Sequence, residues 1–348
     1  MNQRVVAGIV AIPLVLALLA AAAFTELDYA TYRPGPTIDI LDQPGGDETV
    51  RVNGVKTYRD DGELRLTTVS LSPFGQRLTL PELLAAWANP DEAVYPYEFV
   101  HPPDISEEED ERQGAVSMVT SQDVAIANAL TALDYEVEDT LQVAYVDPDS
   151  PADGTLEVRD VLLRIDGEPI RDAQQVAEAV QATEPGDEVA IQVERDGKRR
   201  TVRLEPAETE DGQRAGFTMS PGFSFPFSVG VNIDPNIGGP SAGLMFALAI
   251  YDTLTEGSLT GGEAVAGTGT LDLEGAVGPI GGIQQKIAGA ERDGATLFLV
   301  PPDNCAEALE VDDGEPRLVR ADTFESALES VQTWADDPDA ELPTCEDA

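Results

Sequence analysis

Residues 242–250, AGLMFALAI, contain no polar side chain, and Gly238, Gly239 and Pro240 stand shortly before them. Proline suits the first turn of a helix, so the sequence predicts a helix over 241–254. A helix that is apolar on every face must be covered on all sides by other elements. The segment therefore requires a domain with layers packed around it, and 348 residues suffice for two or three such domains.

The region around this helix, residues 222–337, has the alternating pattern of an α/β domain. Strands are predicted over 227–233, within 264–282 and over 295–301, and helices over 283–294 and 323–335.

Ser241 is the candidate nucleophile of this region. It follows a glycine-proline turn and precedes the apolar helix, so unpaired backbone N–H groups at the helix start could hold an oxyanion beside it. Gly239, Pro240 and Ala242 shape the turn and are the candidate supporting residues. A serine at this place also caps helices, and the turn by itself does not separate the two roles.

Lys286 is the candidate general base. The single histidine, His101, stands about 140 residues before Ser241 and has no assigned role. In the helix after Gly282, Lys286 shares one face with Ile283 and Ile287, so it points toward the core. Burial lowers a lysine pKa and can leave the amine neutral near pH 7. The alternative is a stem that lies on the core with the ammonium in water.

Three segments in this order, GGPSAGL (238–244), TGTLDLEGAVGPIGGIQQK (268–286) and ATLFLVP (295–301), resemble the proteolytic domain of Lon proteases over roughly 225–335. The resemblance implies a Ser241–Lys286 dyad, with Thr268 holding the lysine by a hydrogen bond, and assembly into a homo-oligomer. The 348 residues contain no G-x-x-x-x-G-K-[ST] motif, so they depart from Lon in lacking its ATPase module.

A β-rich module is predicted over 116–210, with a helix over 172–183 and a hairpin over 189–204. Its SPADG turn and IDG strand end resemble a bacterial PDZ domain, which implies capture of peptide C-termini by strand addition. Arg159-Asp160 stands where Gly-Asp is commoner, and no carboxylate-binding loop is visible. A spacer that binds nothing is the alternative. The basic cluster, interpreted as a solvated face, is Arg195, Lys198, Arg199, Arg200 and Arg203.

Residues 5–24 carry no charge for twenty positions, which is long enough for a helix through a bilayer. We predict a transmembrane anchor over 1–25, with the basic start inside and the rest of the chain outside; a cleaved signal peptide is the alternative. Residues 26–115 are predicted as an extracytoplasmic lead-in of uncertain structure, in which 63–71 is a strand and 80–88 a helix. Residues 104–112 are interpreted as a solvated linker or a helix start.

The formal net charge of −44 makes nucleic acid and anionic lipid improbable partners. Cys305 and Cys345 could close one disulfide and tie the acidic tail, residues 338–348, to the domain. Two thiols and one distant histidine cannot complete a zinc site, so no metal and no cofactor is predicted.

Together these features predict an α+β multidomain protein with a transmembrane helix, a PDZ-like β-rich domain and a Lon-type α/β proteolytic domain. The order resembles the YlbL family of membrane-anchored Lon-like proteases. The expected function is ATP-independent cleavage of unfolded or extended polypeptides by a single-pass protein of the cell membrane, on the extracytoplasmic side. The alternative is a non-catalytic PDZ adaptor whose Lon-like domain serves assembly.

Overall fold

Two six-stranded β-sheets, connected by one long helix, organise the chain. The computed structural model describes residues 3–42, 48–195, 197–209, 212–234, 237–312 and 314–347, without the side chains of residues 3–8 and 347. The described helices are α1 (Gln3–Phe24), α2 (Leu80–Ala88), α3 (Tyr97–Val100), α4 (Glu107–Ala132), α5 (Ala173–Ala182), α6 (Gly243–Leu254), α7 (Ile283–Arg292), α8 (Cys305–Ala308) and α9 (Phe324–Asp336).

The first ten described strands are β1 (Glu26–Leu27), β2 (Tyr29–Asp39), β3 (Val50–Asn53), β4 (Glu63–Leu71), β5 (Leu78–Thr79), β6 (Ala93–Pro96), β7 (Glu138–Val146), β8 (Val161–Ile165), β9 (Glu168–Pro169) and β10 (Val189–Arg195). The remaining ten are β11 (Lys198–Leu204), β12 (Ala207–Thr209), β13 (Gly212–Arg214), β14 (Phe217–Ser224), β15 (Ser228–Val231), β16 (Ala264–Gly267), β17 (Thr270–Leu271), β18 (Val277–Gly278), β19 (Leu297–Val300) and β20 (Arg317–Arg320).

The central sheet has the strand order β20-β19-β16-β4-β2-β6. Its β4, β16, β19 and β20 run parallel, and β2 pairs antiparallel with both β4 and β6. The apolar helix α6 packs against this sheet, and its residues Leu244 to Ile250 are completely buried. The prediction of a covered helix in an α/β domain is therefore confirmed, although the helix begins at Gly243 rather than at Ser241.

Residues 26–115, predicted only as a lead-in, supply three strands of the central sheet. Leu64 and Leu66 of β4 pair with Val265 and Gly267 of β16, so the lead-in and the region after residue 222 form one structural unit. The register places both leucines in the core, where they are at most 1% exposed. A parallel pair between segments 200 residues apart leaves no local signal, since parallel strands are joined only by long crossovers.

Helix α4 lies between the two sheets. It begins in the charge run that was predicted as a linker or helix start, where Ser106 accepts a hydrogen bond from the backbone N–H of Glu109. Four acidic residues in the first turn match the positive end of the helix dipole. Later in α4 the side chains from Ser121 to Ala127 are buried between α6 on one side and β7 and β14 on the other.

The second sheet, with the order β11-β10-β8-β7-β14, forms the predicted PDZ-like module together with α5. Its last strand, β14, follows the predicted boundary at residue 210. The basic cluster is not uniformly solvated: the Arg195 guanidinium forms a salt bridge with the fully buried Asp160, whereas Lys198 to Arg200 on β11 are exposed. Asp196 of the predicted turn lies outside the described residues, and Gly197 has a φ of 69°.

The predicted transmembrane segment begins at Val5, so its first four side chains lie outside the described ones. In the part of the chain that is described, no helix combines the length and apolar character needed to cross a membrane.

The two cysteines form the disulfide that the sequence left open. Cys305 at the start of α8 is bonded to Cys345, with their Cα atoms 4.9 Å apart. The tail before Cys345 packs on the domain, because Leu342 is buried and the Pro343 carbonyl accepts a hydrogen bond from the Arg320 N–H.

Candidate active site

A cavity of about 950 Å³ contains both candidate catalytic residues, Ser241 and Lys286, in its wall. One side is formed by the segment from Ile237 to Ala242, and another by Leu66 to Leu71 of β4. Helix α4 contributes residues between Asp110 and Met118, and Tyr145 of the second sheet completes the wall. The cavity therefore lies where the central sheet, α4 and the PDZ-like module meet.

Ser241 stands in a tight turn just before α6 and is half-buried. Gly239 has a φ of 90°, a left-handed conformation that a residue with a side chain rarely adopts. The N-cap of α6 is Ala242, which is buried, and no side chain caps this helix. The interpretation of Ser241 as a helix cap is therefore wrong, and its hydroxyl is available to the cavity.

The turn is held from both sides by hydrogen bonds to its backbone. The Gly269 N–H donates to the Ser241 carbonyl oxygen at 2.8 Å. On the opposite side, Ser121 Oγ of α4 donates to the Pro240 carbonyl at 3.0 Å, and the Gly239 N–H donates to the Gly114 carbonyl of α4 at 3.3 Å. These bonds leave little freedom for the backbone on either side of the candidate nucleophile.

Lys286 occupies the buried face of α7, as its spacing predicted. Its side chain is only 2% exposed, and Ile283 and Ile287 beside it are equally covered. The alternative of an amine in water is therefore wrong. Burial lowers the pKa of Lys286 from 10.5 to about 8, because the dry surroundings penalise the ammonium form. At neutral pH a fraction of this amine is therefore uncharged and able to accept a proton.

Thr268 connects the candidate base to the backbone of the candidate nucleophile. The amine of Lys286 donates to Thr268 Oγ1 at 3.0 Å, and this hydroxyl donates to the carbonyl oxygen of Ser241 at 3.0 Å. Thr268 follows the carboxyl end of β16 and is 1% exposed. Within the described part of the chain the lysine amine makes no hydrogen bond to the Ser241 hydroxyl. The amine is thus held by Thr268 in the cavity whose wall also contains Ser241.

Two backbone N–H groups of the turn are candidates for an oxyanion hole. The N–H of Gly243 donates to the Pro240 carbonyl and that of Leu244 to the Gly269 carbonyl, so both are occupied. Those of Ser241 and Ala242 have no acceptor among the described residues. Donors directly beside the attacking oxygen suit a tetrahedral intermediate.

Several parts of this site were not predicted from the sequence. The contribution of α4 through Gly114 and Ser121, the wall from β4 and the position of Tyr145 all depend on long-range packing. The polar run Ser121-Gln122-Asp123, which stands before the largely apolar stretch from Val124 to Ala127, was a signal that could have drawn attention to α4. Within the described ranges no three His, Cys, Asp or Glu side chains are grouped as metal ligands.

Comparison with protein families identifies two segments of the chain. Residues 235–331 match the family described as Lon protease (S16) C-terminal proteolytic domain, and residues 116–205 match the PDZ domain family. The chain combines a PDZ domain with a Lon-type proteolytic domain. Both domain predictions are confirmed, and the chain thus carries the proteolytic domain of a serine peptidase.

Individual relatives with the name Lon protease match about a quarter to a third of this chain. The Lon protease of Clostridium beijerinckii is 37% identical over 94 residues, which are 27% of this chain and 11% of that protein. Lon protease 2 of Bacillus subtilis is 33% identical over 105 residues, 30% of this chain and 18% of that protein. The chain therefore spans a small part of the length of the relatives it matches. Among solved structures, the PDZ domain of an SdrC-like protein from Listeria innocua is 24% identical, covers 23% of this chain and 92% of that chain, and has a TM-score of 0.22.

Proposed function

We propose that the chain is a serine endopeptidase that cleaves unfolded or extended polypeptides without ATP. Ser241 is the nucleophile and Lys286 is the general base. The observation that carries the proposal is the lysine: it is 2% exposed, its pKa is lowered to about 8, and a single threonine connects it to Ser241. An amine with such a pKa can both take and return a proton near neutral pH.

The reaction follows from these positions. The neutral amine of Lys286 takes the proton of the Ser241 hydroxyl while the serine oxygen attacks the peptide carbonyl. The N–H groups of Ser241 and Ala242 stabilise the negative oxygen that forms. The resulting ammonium then gives its proton to the departing amine, and the C–N bond breaks. Water attacks the acyl-enzyme with the same lysine as base, which releases the second product and restores the serine.

The direct test compares the full chain with Ser241→Ala. Both proteins are incubated at pH 8 with an unfolded protein substrate, in the absence of nucleotide. We expect cleavage by the wild type alone, because the variant keeps its fold and loses only the attacking oxygen. A fluorophosphonate-type covalent probe should label the wild type and leave the variant unlabelled. If both proteins are folded but neither cleaves the substrate nor reacts with the probe, the chain is better described as a non-catalytic adaptor.

We further propose that peptide C-termini bind the PDZ domain by adding a strand to β14. In the described part of the chain β14 pairs with β7 on one side and is the edge of its sheet. An exposed edge offers unpaired N–H and C=O groups to an extended peptide. Titration with peptides that end in a free carboxylate, and with the same peptides amidated, tests this recognition by fluorescence anisotropy.

A location outside the cytoplasm, with residues 5–24 as a membrane anchor, is part of the proposal. The uncharged run and the acidic flank that follows support it. The disulfide between Cys305 and Cys345 fits an oxidising compartment. Near the end of α1, α2 exposes Leu84 and Trp87, which suit the boundary of a bilayer.

Cell fractionation tests the location. We expect the full chain in the membrane fraction after alkaline extraction, with both thiols protected from alkylation until a reductant is added. Recovery in the soluble fraction with freely alkylated thiols would contradict it, and a mature chain that begins after Ala23 would indicate a cleaved signal peptide. Light scattering of the purified chain tests the proposed homo-oligomer.

A further inference from the structure

Arg159 of the PDZ domain has a backbone conformation that is unusual for its residue type. Its φ is 71°, in the left-handed region that favours glycine. The residue nevertheless has a long side chain, and that side chain reaches from the turn before β8 to helix α4. Arg159 Nε donates to Asp123 Oδ1 of α4 at 3.0 Å, and Arg159 Nη2 donates to Gln122 Oε1 at 2.6 Å. A disfavoured backbone is thus combined with two contacts that only a side chain can make.

Asp123 of α4 is a buried carboxylate, and its two oxygens accept hydrogen bonds from Arg159 before β8 and from Gln142 of β7. Asp123 is 1% exposed. Gln142 reaches it past Gly222 of the edge strand β14, where a Cβ atom would lie only 2.4 Å from the glutamine Cδ. Gly222 therefore provides the space for this contact. The network joins the peptide-receiving edge of the PDZ domain to α4.

The same helix holds the catalytic turn. Ser121, one residue before Gln122, donates to the Pro240 carbonyl, and Gly114 two turns earlier accepts from the Gly239 N–H. Ser121, Gln122 and Asp123 are consecutive in one helix, so the contacts of Asp123 and the contact to the Ser241 turn are carried by the same helical segment. Ser121 and Asp123 point to different neighbours, since residues two apart do not share a helix face.

We propose that Arg159 is a positioning residue for Ser241, which ties the PDZ domain to the catalytic turn through Asp123 and α4. The proposal rests on the proposed peptidase function. Occupation of the β14 edge would alter the packing of Gln142 against Gly222 and reach the serine by the same route. Arg159 itself touches neither the nucleophile nor the base.

The first test is Arg159→Gly in the full chain. Glycine accepts a φ of 71° without strain, so the backbone is satisfied while the contact to Asp123 is lost. We expect kcat for a short peptide to fall about ten- to a hundredfold, the range expected for a displaced reacting group. KM should stay within twofold, and the pH midpoint near 8 should not move, because Lys286 keeps its burial.

Asp149→Gly is the matched control. Asp149 also has a left-handed φ, 59°, in an exposed turn of the PDZ domain. The same kind of substitution there makes no change at α4, so kcat should equal that of the wild type. Full kcat in Arg159→Gly, or an equal loss in Asp149→Gly, would overturn the proposal.

A second variant keeps the test decisive if Arg159→Gly does not fold, since it leaves a buried carboxylate without its cation. Ser121→Ala removes the other end of the route and leaves the PDZ contact intact. We expect a similar fall in kcat, and full kcat in Ser121→Ala would contradict the route whether or not Arg159→Gly folds. Where Arg159→Gly does fold, the double variant should lose much less than the product of the two effects. Independent, multiplicative losses would contradict a common route.

Amide hydrogen exchange separates this inference from the proposed function. The Gly239 N–H, which donates to Gly114, should exchange at least tenfold faster in Arg159→Gly and in Ser121→Ala than in the wild type or Asp149→Gly. A wild type that neither cleaves nor reacts with a serine probe, but shows this exchange pattern, refutes the peptidase and keeps the coupling. An active wild type with unchanged exchange in the variants refutes the coupling alone.

Discussion

Replacement of Lys286 by methionine should stabilise the protein at neutral pH while it removes activity. The pKa of Lys286 falls from 10.5 to about 8 on folding. At 1.36 kcal/mol for each pKa unit, this burial penalises the protonated side chain by about 3 kcal/mol. Methionine fills similar space without that penalty but loses the hydrogen bond to Thr268, which costs about 1 kcal/mol. The free energy of unfolding at pH 7 should therefore be about 2 kcal/mol higher in Lys286→Met than in the wild type.

The pH dependence of the difference in unfolding free energy between the two proteins is a stricter test than its value at pH 7. Between pH 8 and 10.5 the unfolded chain still holds the lysine proton while the folded chain has lost it. Because the unfolded state binds more protons there, wild-type stability rises with pH in this window. The difference between wild type and Lys286→Met should therefore shift in favour of the wild type by about 2.5 kcal/mol from pH 7 to pH 10. All other titrating groups are common to both proteins and cancel.

Urea unfolding at the two pH values, followed by the emission of Trp334, measures this shift. Trp334 is 5% exposed in α9 and reports on the core of the Lon-type domain. Lys198→Met, on the exposed strand β11, is the control and should show no pH-dependent difference. A difference between wild type and Lys286→Met that is the same at pH 7 and pH 10 would refute the argument that burial makes this amine a base. Peptide cleavage by the wild type should rise with pH and level off above about 8.

Three further changes test other parts of the site. Thr268→Val removes the hydroxyl that accepts a hydrogen bond from the lysine amine, so the amine loses its orientation and kcat for a short peptide should fall about ten- to a hundredfold. The melting temperature of the variant should stay close to that of the wild type. Gly239→Ala places a side chain on a residue with a φ of 90°, and should lower the free energy of unfolding by about 1–2 kcal/mol. It should also remove most of the turnover. Gly281→Ala, also in open space but without a positive φ, is the control and should leave stability and turnover unchanged. Joint replacement of Cys305 and Cys345 by alanine opens a 40-residue loop and should destabilise the fold by about 4 kcal/mol in urea titration.

Much of the local structure was predictable from the chain. Strand β4 and helix α2 have the predicted bounds, 63–71 and 80–88, because alternation and helical spacing are properties of neighbouring residues. The face of α7 that carries Lys286 was predicted for the same reason. Helix α6 begins two residues later than predicted, because proline and serine suit both the first turn of a helix and the residues just before it.

The arrangement of the domains was not predictable in this way. The strands between residues 26 and 100 carry no mark of the partner they pair with, and β4 lies beside β16 although the entire PDZ domain stands between them in the chain. The role of α4 was equally hidden. Its consecutive polar residues Ser121, Gln122 and Asp123 are buried, and only the packed structure reveals that each has a partner.

The sequence by itself identified the residues proposed for catalysis: a serine after a glycine-proline turn, a lysine on an apolar helical face, and a threonine between them in the chain. Only the tertiary structure decided the burial and the hydrogen-bond partners of those residues. The central sheet and α7 enclose Lys286 and lower its pKa, and α4 holds the turn of Ser241 against the PDZ domain. Residue types and spacing are local, whereas desolvation and alignment come from contacts between segments more than a hundred residues apart.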